Sequence, residues 1–563
     1  MWIHKKADKE KVGKIERILK CHKIVASLLV NRGIDTPEQA YSFLCPSLKR
    51  LTDPFCLKDM DKAVKRIWTA IENHERILIF GDFDADGVTS TSILNDFFSS
   101  INAEVSWYVP HRTKEGYSLK KNHIDMAIDR CTDLIITVDC GSDSNEAVLA
   151  AKREDIDIII TDHHEVPEDI PPALALINPK RQDCTSGLSH LAGVGVAFYL
   201  VIALRKYLRE KGFWEHKQEP NLIRYCDLVA IGTIADMVPL KKENRILSCA
   251  GINIMKKGER PGLVALSQVS GIDLKDIDSD DISFRIAPRI NAAGRISHAR
   301  ICVDLLCTGD RISAELTSEI LDRLNRKRQE TEQSIIDDIE KKIIKFPEFL
   351  NKSALIMCDR SWNPGVLGIA ASKMAKKYFK PVILISTGSS PAVGSCRSIE
   401  SVNLYRVLNK CSSMLENFGG HFMAAGLSIK EDRIKEFSNA FEKQISEIIA
   451  KDNSQKTLYM DCSLVPGEIT EDLVNEMNML RPFGTDNPEP VFYCSDLVVC
   501  SCVLINAKHR KMVLEKSGYR VEAMQFNIKS QEMPVYFKEI AFKLKMNRFG
   551  KKKYPQIIII EEI

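Results

Sequence analysis

The sequence predicts an α/β protein in which a parallel sheet is followed by a long connecting helix, a smaller α/β unit and a C-terminal β-barrel. Three observations carry this. Short Ile/Val/Leu runs alternate with helical stretches between residues 75 and 164, the pattern of a parallel sheet covered on both faces. Ile312, Leu316, Ile320 and Leu324 then recur at four-residue steps, continued by Ile335, Ile339 and Ile343 with charged residues in the gaps. Beyond residue 456 helical periodicity gives way to short β-rich runs.

In chain order, residues 1–50 read as a helical segment without evident chemistry. "ERILIF" (75–80) is a buried strand, and "GDFDADGVTSTSILNDFF" is a loop entering a helix. A second strand follows at 132–141, a helix near 145–153, and a third strand, "IDIIITDHH", at 156–164. The apolar stretch "DLVAIGTIADMVPL" (227–240) reads as a helix carrying Asp236 near its end. The charged helix of 312–344 lacks a closing glycine and suits a connector. "ALIMCD" and "PVILIST" flank a helix at 366–377, the mark of a second, smaller sheet. "PVFYCSDLVVCSCVLI" and "YPQIIII" supply barrel strands. The expected divisions are 1–50, 51–310, 311–345, 346–452 and 457–563.

At 563 residues, with 44% hydrophobic and 28% charged residues, the chain has the composition of a multidomain globular protein. Its 17 cysteines include no C-x-x-C pair, and the charged N-terminus has no apolar leader, so the expectation is a cytoplasmic protein with buried, reduced thiols. The longest apolar run, at 192–204, is shorter than the ~20 residues a membrane span needs. From residue 508 to 553 there are 13 Lys/Arg against four Asp/Glu, a basic face suited to a polyanion. Aromatic residues Phe526, Tyr536, Phe537, Phe542 and Phe549 interleave with these lysines. One or two are expected to stack on bases, and the rest to fill the barrel.

Three predicted strands end in the same chemistry. The first delivers Asp82, Asp84 and Asp86, the second Asp139, and the third Asp162, His163 and His164. Strand ends in a parallel sheet converge on one edge, where ligands bind. Carboxylates gathered there repel unless a cation neutralises them, and carboxylate mixed with imidazole suits Mn²⁺ or Mg²⁺. The D-x-D-x-D-G start of an EF-hand fails, because the twelfth position from Asp82 is Ile93 instead of Glu. An aspartyl-nucleophile phosphatase would leave Asp139 and the histidine pair unexplained.

"GDFDADG", "VDCG", "TDHH" and "GTIADMVPL" follow the order of the signature motifs of the DHH phosphoesterase superfamily, which the chain resembles. The resemblance implies two Mn²⁺ or Mg²⁺ ions held by Asp84, Asp86, Asp139, His163 and Asp236, with Asp82 close by. It places His164 at the reacting phosphate or leaving group, supported by Asp162. One departure is Phe80, where many members have a histidine; the resemblance then leaves one metal position short of a protein ligand.

Blocks outside this core are similar to those of RecJ-type exonucleases. "FRIAPRINAAGRISHA" (284–299) offers Arg289, Asn291 and Arg295, with the two guanidinium forks suited to phosphates. "GSCRS" supplies Ser395 and Arg397, which with Arg112 of "VPHRTKEGYSL" are expected to grip a terminal 5′-phosphate. "FGGHFMAAGLSI" resembles the signature of the DHHA1 substrate domain, where Gly419 and Gly420 allow close backbone approach and His421 a donor. "RPFGTDNPEPVF" and the basic tail resemble the RecJ OB-fold. Asn363 and Asp486 replace the usual His and Gly. The resemblance thus implies a single-stranded-DNA-specific 5′→3′ exonuclease of repair and recombination. Such an enzyme would release mononucleotides, act as a monomer and work beside a helicase and a single-strand-binding protein. The alternatives are a DHH hydrolase of short oligonucleotides or cyclic dinucleotides, and an inactive single-strand-binding scaffold.

Overall fold

The computed structural model describes residues 2–449, 457–528, 530–549 and 552–562, apart from the side chains of 548, 549, 552 and 553. The Phe549 side chain and the expected boundary between 452 and 457 therefore lie outside what is described.

A five-stranded parallel sheet forms the first unit. Its strands run Val105–Tyr108, Ile77–Gly81, Leu134–Val138, Asp157–Thr161 and Ala175–Ile177 in spatial order. The three central strands are apolar along both faces because helices cover both, which is why their sequence runs are continuous instead of alternating. The chain passes from Ile77–Gly81 outward to Val105–Tyr108, then crosses back to Leu134–Val138. That reversal opens a crevice between the ends of the Ile77–Gly81 and Leu134–Val138 strands. One face packs on the helices Ala85–Ser100, Gly193–Glu210 and Cys226–Ala235; the other packs on Lys121–Asp129 and Asn145–Arg153. Among the described residues, no helix is long and apolar enough to cross a membrane.

The connecting helix, Arg311–Lys345, starts at Asp310, whose carboxylate accepts from Ser313 N–H at 2.8 Å. At 1.5 Å per residue it spans about 52 Å. Ile335, Ile339 and Ile343 are buried against the second unit, but Ile312, Leu316 and Ile320 are exposed. The first half instead buries Leu321 in the first unit's core, together with the small Ala314 and Ser318 and the paired Asp322. The second unit is a mixed sheet in the order Asn417–Gly420, Ala424–Ile429, Ala392–Arg397, Val382–Ser386, Leu355–Asp359.

The C-terminal strands Phe492–Ile505, His509–Lys516, Tyr519–Phe526, Lys552–Glu562 and Tyr536–Phe549 close into a barrel through the pairing of the first with the last. The N-terminal helices do not stand apart. Val12, Ile15, Leu28 and Leu29 share one core with the barrel's Phe492, Leu514 and Phe542. Arg245 ties this assembly to the first unit, donating to the carbonyls of Phe43, Met479 and Leu480 at 2.9, 2.9 and 3.0 Å. The thiols are not uniformly buried: Cys56, Cys131, Cys358 and Cys500 are exposed.

Candidate active site

Each acid is held by the end of an element. Asp84 caps the helix Ala85–Ser100, its Oδ1 accepting from the N–H groups of Asp86 (2.9 Å) and Gly87 (3.2 Å). Asp86 is buried and accepts from Gly193 N–H (2.8 Å) and Val194 N–H (2.9 Å) at the start of the helix Gly193–Glu210. Gly193 cannot be larger: a Cβ there would lie 2.3 Å from Asp139 Oδ1. Asp139 leaves its strand in a left-handed conformation, φ 61°. Asp236 closes the helix Cys226–Ala235.

These side chains converge. His163 Nε2 lies 3.2 Å from Asp139 Oδ1, 3.6 Å from Asp236 Oδ2 and 3.8 Å from Asp86 Oδ2. Asp86, His163 and Asp236 offer one set of mutually close ligand atoms, Asp82, Asp84 and Asp139 another, and Asp139, His163 and His164 a third. Asp82 Oδ1, Asp139 Oδ1 and His163 Nε2 are buried without a hydrogen-bond partner. Buried polar atoms are normally satisfied, so three in one place mark a site built for something else. Burial and the neighbouring Asp84 charge push Asp86 up to about 7 and Asp82 well above the carboxylate range. Burial, then the charges of Asp86 and Asp84, raises Asp139 strongly and Asp236 to about 8. Burial, followed by His164, lowers His163 to about 3, leaving the neutral imidazole that ligates metals. A crowd of carboxylates with one neutral imidazole fits two hard divalent cations.

His164 is built differently. Its Nδ1 lies 2.8 Å from Asp162 Oδ1 and 3.0 Å from Tyr117 Oη, whose O–H donates to the Asp139 carbonyl at 3.3 Å. Asp162 also accepts from the N–H groups of Ser142, His163 and His164. Burial opposes a charge on His164, but the Asp162 hydrogen bond and the surrounding carboxylates outweigh it and raise the imidazole to about 9. One histidine is thus neutral and faces the acids, while its neighbour is cationic. Tyr117 carries no signal in the sequence, because nothing local links it to residues 22 and 47 positions away.

Beside the acids lies a group of arginines. Arg112 stacks over the Phe83 ring (4.8 Å) and helps draw Asp82 toward its charged form. Burial first, then the charges of Arg112 and Arg397, lowers Arg295 to about 9, while Asp84 counteracts this. Arg295 Nη1 donates to Gly365 O at 3.1 Å across the two units. Arg397 donates to Ser372 Oγ (3.0 Å) and Ser395 Oγ (3.3 Å), and the absence of a side chain at Gly368 leaves room for both. The charges of Arg112, Arg295 and Arg397 act on one another, and those of Arg112 and Arg295 are felt by Asp82 and Asp84.

Other expected residues have different placements. Arg289 pairs with Asp322 of the connecting helix at 2.8 Å and donates to Arg285 O at 2.7 Å. In this structure its fork docks helices. Asn291 Oδ1 accepts from Ala85 N–H at 2.8 Å, bracing the acid loop. Gly419, Gly420 and His421 are exposed at the edge of the second sheet, and Gly420 (φ 146°) has no room for a Cβ beside Ala424 and Ala425. Phe80 turns away from the acids and packs on His123 and Tyr108, ring centroids 4.8 and 5.9 Å away. Asn363 caps the helix Pro364–Tyr378 through Gly365 N–H. Asp486 sits at φ 60°, where glycine is the easy choice and aspartate a tolerated one, and pairs with Lys241 at 2.9 Å. In the barrel Phe526 and Tyr536 are exposed, and Phe537 and Phe542 are core.

A parallel sheet with this acid and imidazole row, joined to a second α/β unit, defines a DHH-type phosphoesterase. The family model "DHH family, N-terminal domain" matches residues 76–233, "DHHA1 domain" 351–447 and "RecJ OB domain" 460–561. The chain is 34% identical to the single-stranded-DNA-specific exonuclease RecJ of Bacillus subtilis, over 99% of this chain and 70% of that protein. It is 36% identical to the Dickeya dadantii RecJ, over 95% of both. The structure of Thermus thermophilus RecJ with Mn²⁺ superposes with a TM-score of 0.85 at 26% identity, over all of this chain and 79% of that one. Its Mg²⁺ complex gives 0.78 at 25% identity, covering 100% and 78%. The chain belongs to the RecJ family of single-stranded-DNA-specific exonucleases.

Proposed function

We propose that the chain hydrolyses single-stranded DNA from its 5′ end, releasing mononucleotides, with two Mn²⁺ or Mg²⁺ ions. The observation that carries this reading is the acid row with its three unpartnered buried atoms, set against a group of arginines. The relatives' names and the metal complexes of the Thermus protein support it. Asp82, Asp84 and Asp139 would hold one ion, and Asp86, His163 and Asp236 the other. When bound, such a pair activates water and offsets charge on the phosphoryl group.

This chain's own residues do the rest. His164, held cationic by Asp162 and oriented by Tyr117, would face the leaving oxygen and supply positive charge or a proton. Arg112, Ser395 and Arg397 would take the terminal 5′-phosphate, and Arg295 the phosphate nearer the acids. Asn291 would keep the acid loop in place, and Gly419, Gly420 and His421 would border the terminal nucleotide. Work as a monomer in the cytoplasm beside a helicase and a single-strand-binding protein, in repair and recombination, belongs to the same reading.

Single-stranded DNA labelled in turn at each end, with Mn²⁺, Mg²⁺ or chelator, tests it. Immediate release of a labelled mononucleotide from the 5′ end alone, stopped by chelator, is the expected result. Release from the 3′ end, or none with either metal, would overturn it.

A further inference from the structure

Positive charge stands at both ends of the acid row. At one end Arg112 opposes the rise that burial and Asp84 impose on Asp82. At the other end, burial with Asp86 and Asp84 raises Asp236, and burial lowers His163. Lys180, together with His164, opposes the first of these shifts and adds to the second. Lys180 follows the short strand Ala175–Ile177, and its loop is tied to the one that carries the histidines. Asn178 is buried, and its side-chain oxygen accepts from Lys180 N–H at 2.9 Å. The amide of the same side chain donates to His164 O and to Ser142 Oγ, each at 2.9 Å. One asparagine thus sets Lys180 and His164 relative to each other.

The partner of Lys180 is as informative as its place. Its Nζ lies 3.1 Å from Glu165 Oε1, in a pair whose side chains are 29% and 71% exposed. An ion pair so open to water contributes little to folding. The next residue shows the contrast. Arg181 is 9% exposed and pairs with Asp59 at 2.6 Å and Asp183 at 2.8 Å, a guanidinium committed to the fold. Lys180 is instead held by an exposed carboxylate that another anion can displace. A phosphodiester on a strand already held at the acids is such an anion, because its attachment gives it a high local concentration. A strand with its 5′-phosphate at the arginines and its first linkage on the acids brings its second linkage toward the Lys180 end.

Resting on the proposed function, we propose that Lys180 binds the phosphodiester immediately 3′ of the cut, and that Glu165 occupies Lys180 until that phosphate arrives. Lys180 is then a positioning residue: by holding the second linkage it seats the first one on the acids. Glu165 competes with the strand for the ammonium, which lets the grip open when the strand advances by one nucleotide.

Short 5′-labelled strands test this, either all-phosphate or with a neutral methylphosphonate as the second linkage. Release of the first nucleotide with Mn²⁺ gives KM, and binding to chelator-treated protein gives Kd. The neutral second linkage should raise both about tenfold in wild type and in Lys180→Arg. Lys180→Gln should bind the all-phosphate strand about tenfold more weakly and should no longer discriminate between the two strands. Glu165→Gln should lower both constants about two- to fivefold, and should add nothing in a Lys180→Gln background. A wild type indifferent to the neutral linkage, or a Lys180→Gln variant that discriminates as wild type does, would overturn the phosphate contact. A Glu165→Gln variant with unchanged or raised constants would overturn the competition. A wild type that releases nothing would defeat the proposed function, while Kd with chelator would still report on Lys180.

Discussion

The acid row and the arginine group are neighbours with opposite and equally uncomfortable chemistry. On one side Asp82, Asp86, Asp139 and Asp236 are all pushed upward by burial and mutual repulsion. On the other, burial and like charge depress Arg295 and Arg397. Neither group is used to neutralise the other, although a direct salt bridge would be cheaper for the fold. Elsewhere several buried charges are paired, as in Arg260 with Asp227 at 2.7 Å and Arg289 with Asp322 at 2.8 Å. The difference teaches that the unpaired charges are reserved: the carboxylates for cations, the guanidiniums for phosphate.

Removing a ligand breaks the acid side most severely. Asp139→Ala should abolish detectable nucleotide release while circular dichroism and the melting transition show a folded protein; an active, folded variant would sink the two-metal assignment. His164→Ala should come next, lowering kcat by about 10²–10³-fold, the share ordinary for a positioned proton donor, with substrate binding retained. On the arginine side, Arg397→Ala loses a charge-assisted contact and should raise KM about 10- to 100-fold for 5′-phosphorylated strands. Strands with a 5′-hydroxyl should respond much less, and equal responses would remove Arg397 from the terminal phosphate. Tyr117→Phe keeps the ring and loses only the hydroxyl, so kcat should fall about 2- to 10-fold. In a His164→Ala background the same change should cost nothing further.

A paired carboxylate elsewhere sharpens the contrast at the smallest scale. Burial would raise Glu243, but hydrogen bonds from His190 (2.8 Å) and Thr52 (2.7 Å) outweigh it and bring the carboxyl down to about 2. A depressed carboxylate stabilises the fold above its unfolded pKa of about 4.3 and loses that contribution as pH falls toward the folded value. Glu243→Gln should therefore flatten the acid side of the stability curve between about pH 4.5 and 2. Identical curves for variant and wild type would show that the pair contributes nothing.

Much of the acid side was legible because its signal is local. Asp82, Asp84, Asp86, Asp139, His163 and His164 each follow an apolar run, and parallel strands bring such ends together whatever lies between them. The helix Asn145–Arg153 was read at its observed bounds. Val105–Tyr108 and Ala175–Ile177, with four and three residues, are too short for periodicity to register. The Arg289–Asp322 pair was not legible because the partner lies 33 residues away on another helix. The exposed Ile312, Leu316 and Ile320 show the same limit: four-residue spacing marks a helix face, but tertiary packing chose Ala314, Ser318 and Asp322 for burial. Nothing in residues 1–50 announces that their apolar face belongs to a barrel more than 400 residues later.

The unpaired carboxylates are arranged to hold two cations. Mn²⁺ binding to the chelator-treated protein, followed by electron paramagnetic resonance of the free ion, tests it without substrate. Two ions should bind per wild-type chain, and Asp139→Ala should lose at least one, with the fold intact. A wild type that binds none, or an Asp139→Ala variant that binds as many as wild type, would contradict it.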